Sequence, residues 1–208
     1  ADEGIGNGGD GSAASLITVD MKTGKTRRLL EGHRTTLPEN RPTVVSGKPL
    51  AVKGKNLLVG CDGITADKDF EWLYYAPLNG NKVYRVRLVD LLDESLNETA
   101  LDKRIETYAD KPNNGGLSMD TEGNLYLTAM ETNSVAVILA KDKSVHHIFS
   151  DENLLWPDGV SYNLVDGYMY VSAAQVHLGA VFHNGKSQAK APFYIFRFKP
   201  LAKGVPFR

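Results

Sequence analysis

The chain has 208 residues, 24 Lys and Arg against 25 Asp and Glu, and a formal net charge of −1. That balance suits a folded globular domain and lacks both the basic excess of a nucleic-acid binder and the acidic tail of a metal-buffering protein, so no nucleic-acid partner is expected. The single cysteine, Cys61, excludes an internal disulfide framework, and no apolar run approaches the roughly 18 residues that span a bilayer, so no membrane partner is expected.

The chain starts at Ala1 in a stretch with glycines at 4, 6, 8, 9 and 11. This reads as a processed or trimmed end, with any export signal lost upstream. Residues 4–9 formally fit G-x-G-x-x-G, but no strand precedes them and no helix follows. They read as a loop, and no nucleotide cofactor is expected. Residues 16–21 (LITVDM) predict a strand, 22–25 a turn and 26–30 the return strand. Residues 36–49 hold Pro38, Pro42 and Pro49 and read as a long loop. Further strands are predicted at 72–78, 82–88, 125–130, 134–140, 145–149, 168–173 and 193–198, each short, rich in Val, Ile, Tyr, Phe or Leu, and bounded by turn formers. Helical pattern is confined to 89–96 and 100–105, too short for a bundle.

An internal repeat organises these strands. Gly63-Ile64-Thr65-Ala66-Asp67 precedes Leu73-Tyr74-Tyr75-Ala76, Gly116-Leu117-Ser118-Met119-Asp120 precedes Leu125-Tyr126-Leu127-Thr128-Ala129, and Gly159-Val160-Ser161-Tyr162-Asn163 precedes Met169-Tyr170-Val171-Ser172-Ala173. Four-stranded units recurring about every 40 to 50 residues mark an all-β propeller; the alternative is a β-sandwich with look-alike hairpins. The predicted blade units are residues 1–36, 50–110, 111–150 and 156–200 of a single domain. That makes an incomplete arc of about three and a half to four blades, where closed propellers have roughly four to eight. The expectation is that two or more N-terminal blades of the same protein complete it.

The segments Trp72-Leu73-Tyr74-Tyr75-Ala76-Pro77-Leu78 with Val83-Tyr84-Arg85-Val86, Gly123-Asn124-Leu125-Tyr126-Leu127, Leu155-Trp156-Pro157-Asp158 with Asp166-Gly167-Tyr168, and the closing Phe193-Tyr194-Ile195-Phe196-Arg197 resemble, in order, the C-terminal part of the yellow / major royal jelly protein family. Bacterial members are often described as dopachrome-tautomerase-related. The resemblance implies a six-bladed propeller and a secreted or periplasmic protein. Gly159 stands where the family usually has Thr, and the turn Asn113-Asn114-Gly115-Gly116 is looser than the family's.

In a propeller, residues just before each innermost strand crowd the central channel. Asp62 and Asp158 each stand one residue before a repeat glycine; Gly115 takes that place in the middle repeat, with Asn114 before it. Two carboxylates and an amide on a narrow channel call for a cation or a shared proton, and hard oxygen donors favour Ca²⁺ or another divalent cation. This set is similar to the metal site of gluconolactonase-type propellers, whose glutamate ligand near the N-terminus has no counterpart here. The competing reading is that Asp62 and Asp158 cap turns. Gln175 and His177 follow the last repeat and are candidates to line the channel mouth. His146 and His147 read as surface residues, Cys61 as a buried spectator thiol, and Asn97-Glu98-Thr99 fits a glycosylation sequon. Two functions follow from the resemblance. One is a module that holds a small aromatic or amine ligand between Asp62, Asn114, Asp158, Gln175 and His177. The other is an enzyme, either a metal-dependent lactonase-type hydrolase with Asp62, Asn114 and Asp158 on the metal, or a dopachrome-type tautomerase. The residues do not decide whether the chain is an enzyme.

Overall fold

The computed structural model describes residues 1–6 and 9–206. Two residues of the G-x-G-x-x-G match, Asn7 and Gly8, lie outside the described residues. Leu16–Val19 (β1) pairs antiparallel with Thr26–Leu29 (β2), and an isolated bridge joins Asp2 to Ser15, just before β1. Residues 36–49 do not form a plain loop. Val44–Val45 (β3) pairs with Lys48–Pro49 (β4), and Ala51–Val52 (β5) pairs with Lys55–Asn56 (β6). Both hairpins turn through two residues with positive φ, Ser46-Gly47 and Lys53-Gly54, the conformation whose twist matches paired strands. The non-glycine partner in each turn is what conceals the hairpins in the sequence.

Cys61–Ala66 (β7), Trp72–Pro77 (β8), Lys82–Arg87 (β9) and Glu106–Asp110 (β10) form a four-stranded sheet in the order β10-β9-β8-β7. Leu117–Met119 (β11), Leu125–Ala129 (β12), Ser134–Ile138 (β13) and Val145–Ser150 (β14) form a second. Pro157–Asn163 (β15), Tyr168–Ala173 (β16) and Ile195–Phe198 (β17) form a three-stranded third. Two short helices, Leu88–Leu92 (α1) and Glu98–Asp102 (α2), fill the β9–β10 connection; the Asn97 side chain caps α2 by accepting from the Ala100 N–H at 2.9 Å.

Turn chemistry sets these hairpins. Asp120 accepts from the N–H groups of Glu122 (3.0 Å) and Asn124 (2.9 Å), and Gly123 supplies φ +80°. Asp67 does the same for Glu71 and Trp72, and Asn163 for Val165. Period-two alternation then sends neighbouring side chains to opposite faces. Tyr75 packs with Leu16, Leu30 and Val86, between the first two sheets. Tyr74 packs with Leu117, Leu125 and Leu127 on the other face. Tyr126, from the next sheet, joins Val160, Val171 and Phe198. The core is thus three layers, each between adjacent sheets, as blades fanned about an axis require. The inner strand β11 touches both β7 and β15.

Candidate functional site

The upper end of the arc, where the inner strands begin, gathers the acids. Asp62 is the second residue of β7 and Asp158 the second of β15. Glu3 joins them. Its carbonyl accepts from the Gly60 N–H at 3.0 Å, and its carboxyl shares a hydrogen bond with Asp62. A glutamate near the N-terminus therefore does stand in the set, contrary to the expectation drawn from the sequence. Glu3-Gly4, Asp62-Gly63 and Asp158-Gly159 repeat one acid–glycine step. The first was hidden because the glycine-rich stretch behind Gly4 breaks the strand pattern.

Close backbone approach builds the rest. A methyl at Gly63 would stand 2.6 Å from the Gly115 carbonyl oxygen and 3.1 Å from the Asn114 amide nitrogen; one at Gly115 would stand 3.3 Å from Asp158 Oδ1. Asn114 therefore lies between the strands that carry Asp62 and Asp158. It is fully buried, its Nδ2 donates to the carbonyls of Gly115 (3.0 Å) and Gly116 (3.2 Å), and its Oδ1 has no hydrogen-bond partner.

Burial raises the Asp158 carboxyl. Burial, then the charges of Glu3 and Asp158, push Asp62 up to about 8; burial also raises Glu3. Burial and mutual repulsion thus favour the protonated form of the Glu3–Asp62 pair. Lys111 is the buried cation that opposes them. Its Nζ donates to the carbonyls of Gly80 (2.8 Å), Pro112 (3.3 Å) and Leu78 (3.4 Å), and burial draws it down to about 7. Lys111 was not legible as part of the site, because a lysine before proline reads as a solvated turn.

An apolar layer covers these groups. Leu50, Val59, Leu78, Met130 and Trp156 are buried together, with Ile5, Val45, Leu57 and Phe182 against them. The two hairpins at 44–56 supply part of this layer. Asn79 ties them down by donating to the carbonyl of Arg41 (2.8 Å) and to Thr43 Oγ1 (3.0 Å), and Glu131 by accepting from the Val44 N–H at 2.8 Å. This layer is the desolvation that lifts the acids.

Gln175 and His177 sit beside the layer and not against the acids. The Gln175 amide is spent on the backbone of Lys190, donating at 2.9 Å and accepting at 3.0 Å. His177 stacks on Trp156 at 6.0 Å between ring centroids, its Nδ1 buried without a partner. Cys61 is buried, with its thiol pushed up to about 12 by burial, which suits a spectator. His146 and His147 are exposed on β14. Among the described residues, no three His, Cys, Asp or Glu side chains stand close enough to hold one metal ion.

The family model described as major royal jelly protein matches residues 9–194. No curated protein matches significantly. Among solved structures, a luciferin-regenerating enzyme superposes with a TM-score of 0.56 at 14% identity, over 92% of this chain and 54% of that one. A gluconolactonase from Xanthomonas campestris gives 0.48 at 14% identity, over 81% and 56%, and a putative gluconolactonase 0.47 at 14%, over 79% and 55%. The luciferin-regenerating enzyme is a β-propeller protein, and the all-β fold seen here is of that class. The chain spans about half the length of each.

Proposed function

The chain belongs to the major royal jelly protein family, and from that premise we propose that it binds a small aromatic amine at the upper end of its channel. The observation that carries this reading is the convergence of Glu3, from the N-terminal segment, with Asp62 of β7 and Asp158 of β15, beside an apolar layer that includes Trp156 and Met130. An ammonium group would supply the positive charge that Glu3 and Asp62 lack, and an aromatic ring would rest on the apolar side chains. A secreted or periplasmic place of action belongs to the same reading. Titration calorimetry with dopamine or serotonin tests it. Saturable binding is expected, weakened about ten- to a hundredfold in Asp62→Asn, the loss of one hydrogen bond to a charged group. Unchanged affinity in both Asp62→Asn and Asp158→Asn would refute the site.

A second reading is a metal-assisted hydrolase of the lactonase type or a tautomerase, and the unpartnered Oδ1 of buried Asn114 favours the metal. Among the described residues no three acids form a cage; a mixed set of Glu3, Asp62 and the Asn114 amide oxygen would hold a hard cation. Such an ion, when bound, polarises a carbonyl and acidifies bound water. Asp158, whose Oδ1 lies beside Gly115, would accept a proton from the ligand in either enzymatic variant. Calcium that raises the melting temperature, with reversal by chelator, is the outcome that selects this reading over the amine.

A further inference from the structure

The near-neutral balance of the whole chain conceals a one-sided distribution. Residues 40–61 contain Arg41, Lys48, Lys53 and Lys55 and no acid; residues 167–208 contain Lys186, Lys190, Arg197, Lys199, Lys203 and Arg208 and no acid. The structure brings the two segments together at the upper end. β5 contacts the turn at Ala180–Phe182, and Phe182 packs into the apolar layer with Leu50 and Leu57 from the hairpins. Arg41, Lys48, Lys53, Lys55, Lys186 and Lys190 are all exposed there, and among the described residues none of the six makes an ion pair. Interleaved with them are exposed apolar side chains: Val181 at 62%, Phe193 at 62% and Val44 at 39%.

We propose that this rim docks the protein, upper end first, on an anionic lipid surface. Six cations spread over two hairpins, the segment leading into them and a separate loop are too dispersed to wrap one small anion, and they suit a sheet of negative charge. A soluble polyanion would use the lysines and leave Val181 and Phe193 idle. A lipid headgroup region takes both, the cations against phosphate and the apolar tips at the acyl boundary. The proposal is independent of what the channel binds.

Co-sedimentation with vesicles tests it. Binding is expected to vesicles of phosphatidylcholine with about a third phosphatidylserine, falling with added salt, and not to pure phosphatidylcholine. Each lysine near an anionic surface is worth about fivefold in partitioning, so Lys53→Gln, Lys55→Gln and Lys186→Gln together should cost about a hundredfold. These exposed positions leave the circular dichroism spectrum unchanged. Phe193→Ser, alone, should weaken binding severalfold. Equal binding to neutral vesicles, or none to anionic ones, overturns the proposal. So does binding to heparin with no loss in the Phe193→Ser variant and no vesicle binding, which would identify a soluble polyanion as the partner.

Discussion

Asp62 carries a cost that the proposed ligand would offset. In the folded chain it keeps its proton to about 8, whereas unfolded it would release it near 4. Between those values the folded state binds more protons than the unfolded one, so stability falls as pH rises through the window and levels off above about 8. Lys111 acts in the opposite sense. Its folded value of about 7 lies below its unfolded one, so from there up to about 10 the unfolded state binds more protons and stability rises with pH. The two together place a stability minimum near neutral pH, where the acids are least comfortable without a cation. Asp62→Asn removes the first titration. Its melting temperature, followed by circular dichroism from pH 5 to 8, should decline less than the parent's and exceed it at pH 8. Parallel curves would show that Asp62 ionises freely in the folded state. A stabilising substitution that abolishes ligand binding is the signature of a group held in an unfavourable place for its chemistry.

At the scale of strands, the repeat glycines differ in what they do. Gly63 and Gly116 let neighbouring inner strands touch: a methyl on Gly63 would lie 2.6 Å from the Gly115 carbonyl oxygen, and one on Gly116 would lie 2.5 Å from the Asp158 carbonyl oxygen. Backbone cannot yield as a side chain can, so Gly63→Ala and Gly116→Ala should each cost about 1–3 kcal/mol in urea unfolding, and should widen the gap in which Asn114 sits. Gly159, the third repeat glycine, meets nothing closer than Ser172 Oγ at 3.9 Å, and Gly159→Ala should unfold with the parent. Equal costs at all three would mean that the close approach is not what the glycines provide. The strands around these glycines were legible because alternating Val, Tyr and Leu between Asp-Gly turns dictate both their length and their two buried faces. So were Asp62, Asn114 and Asp158, because repetition places equivalent residues at equivalent depth. The hairpins over the site were not, since their turns use Ser46 and Lys53 at positive φ, where glycine or asparagine would have signalled them. Glu3 shares the acid–glycine step of the repeats but is separated from its second strand by a run of glycines with no periodicity. Asn79, which ties the cap down, carries no sequence signal at all: a buried asparagine and a turn asparagine look alike until burial is known.

For the molecule as a whole, the site is a junction. Glu3 follows the Asp2–Ser15 bridge beside β1, Asp62 lies in β7, Asn114 in the loop leading into β11 and Asp158 in β15. As these acids ionise, their like charges push the inner strands apart. A bound cation reverses that force and links the inner strands through one centre. Ligand that binds only the folded chain stabilises it by about 2.7 kcal/mol at a hundred times its Kd, and in a domain of this size each kcal/mol moves the midpoint by about 2–4 °C. Scanning calorimetry of the full chain with saturating ligand should therefore show a rise of about five to ten degrees in one sharpened transition, since the sheets that flank the channel would then melt together. In Asp62→Asn the rise should largely vanish. In Lys48→Gln, at the rim and outside the acid set, it should persist. A midpoint that climbs equally in all three proteins would mean that the ligand binds away from the channel, and the convergence of acids would then be a structural strain without a resident cation to relieve it.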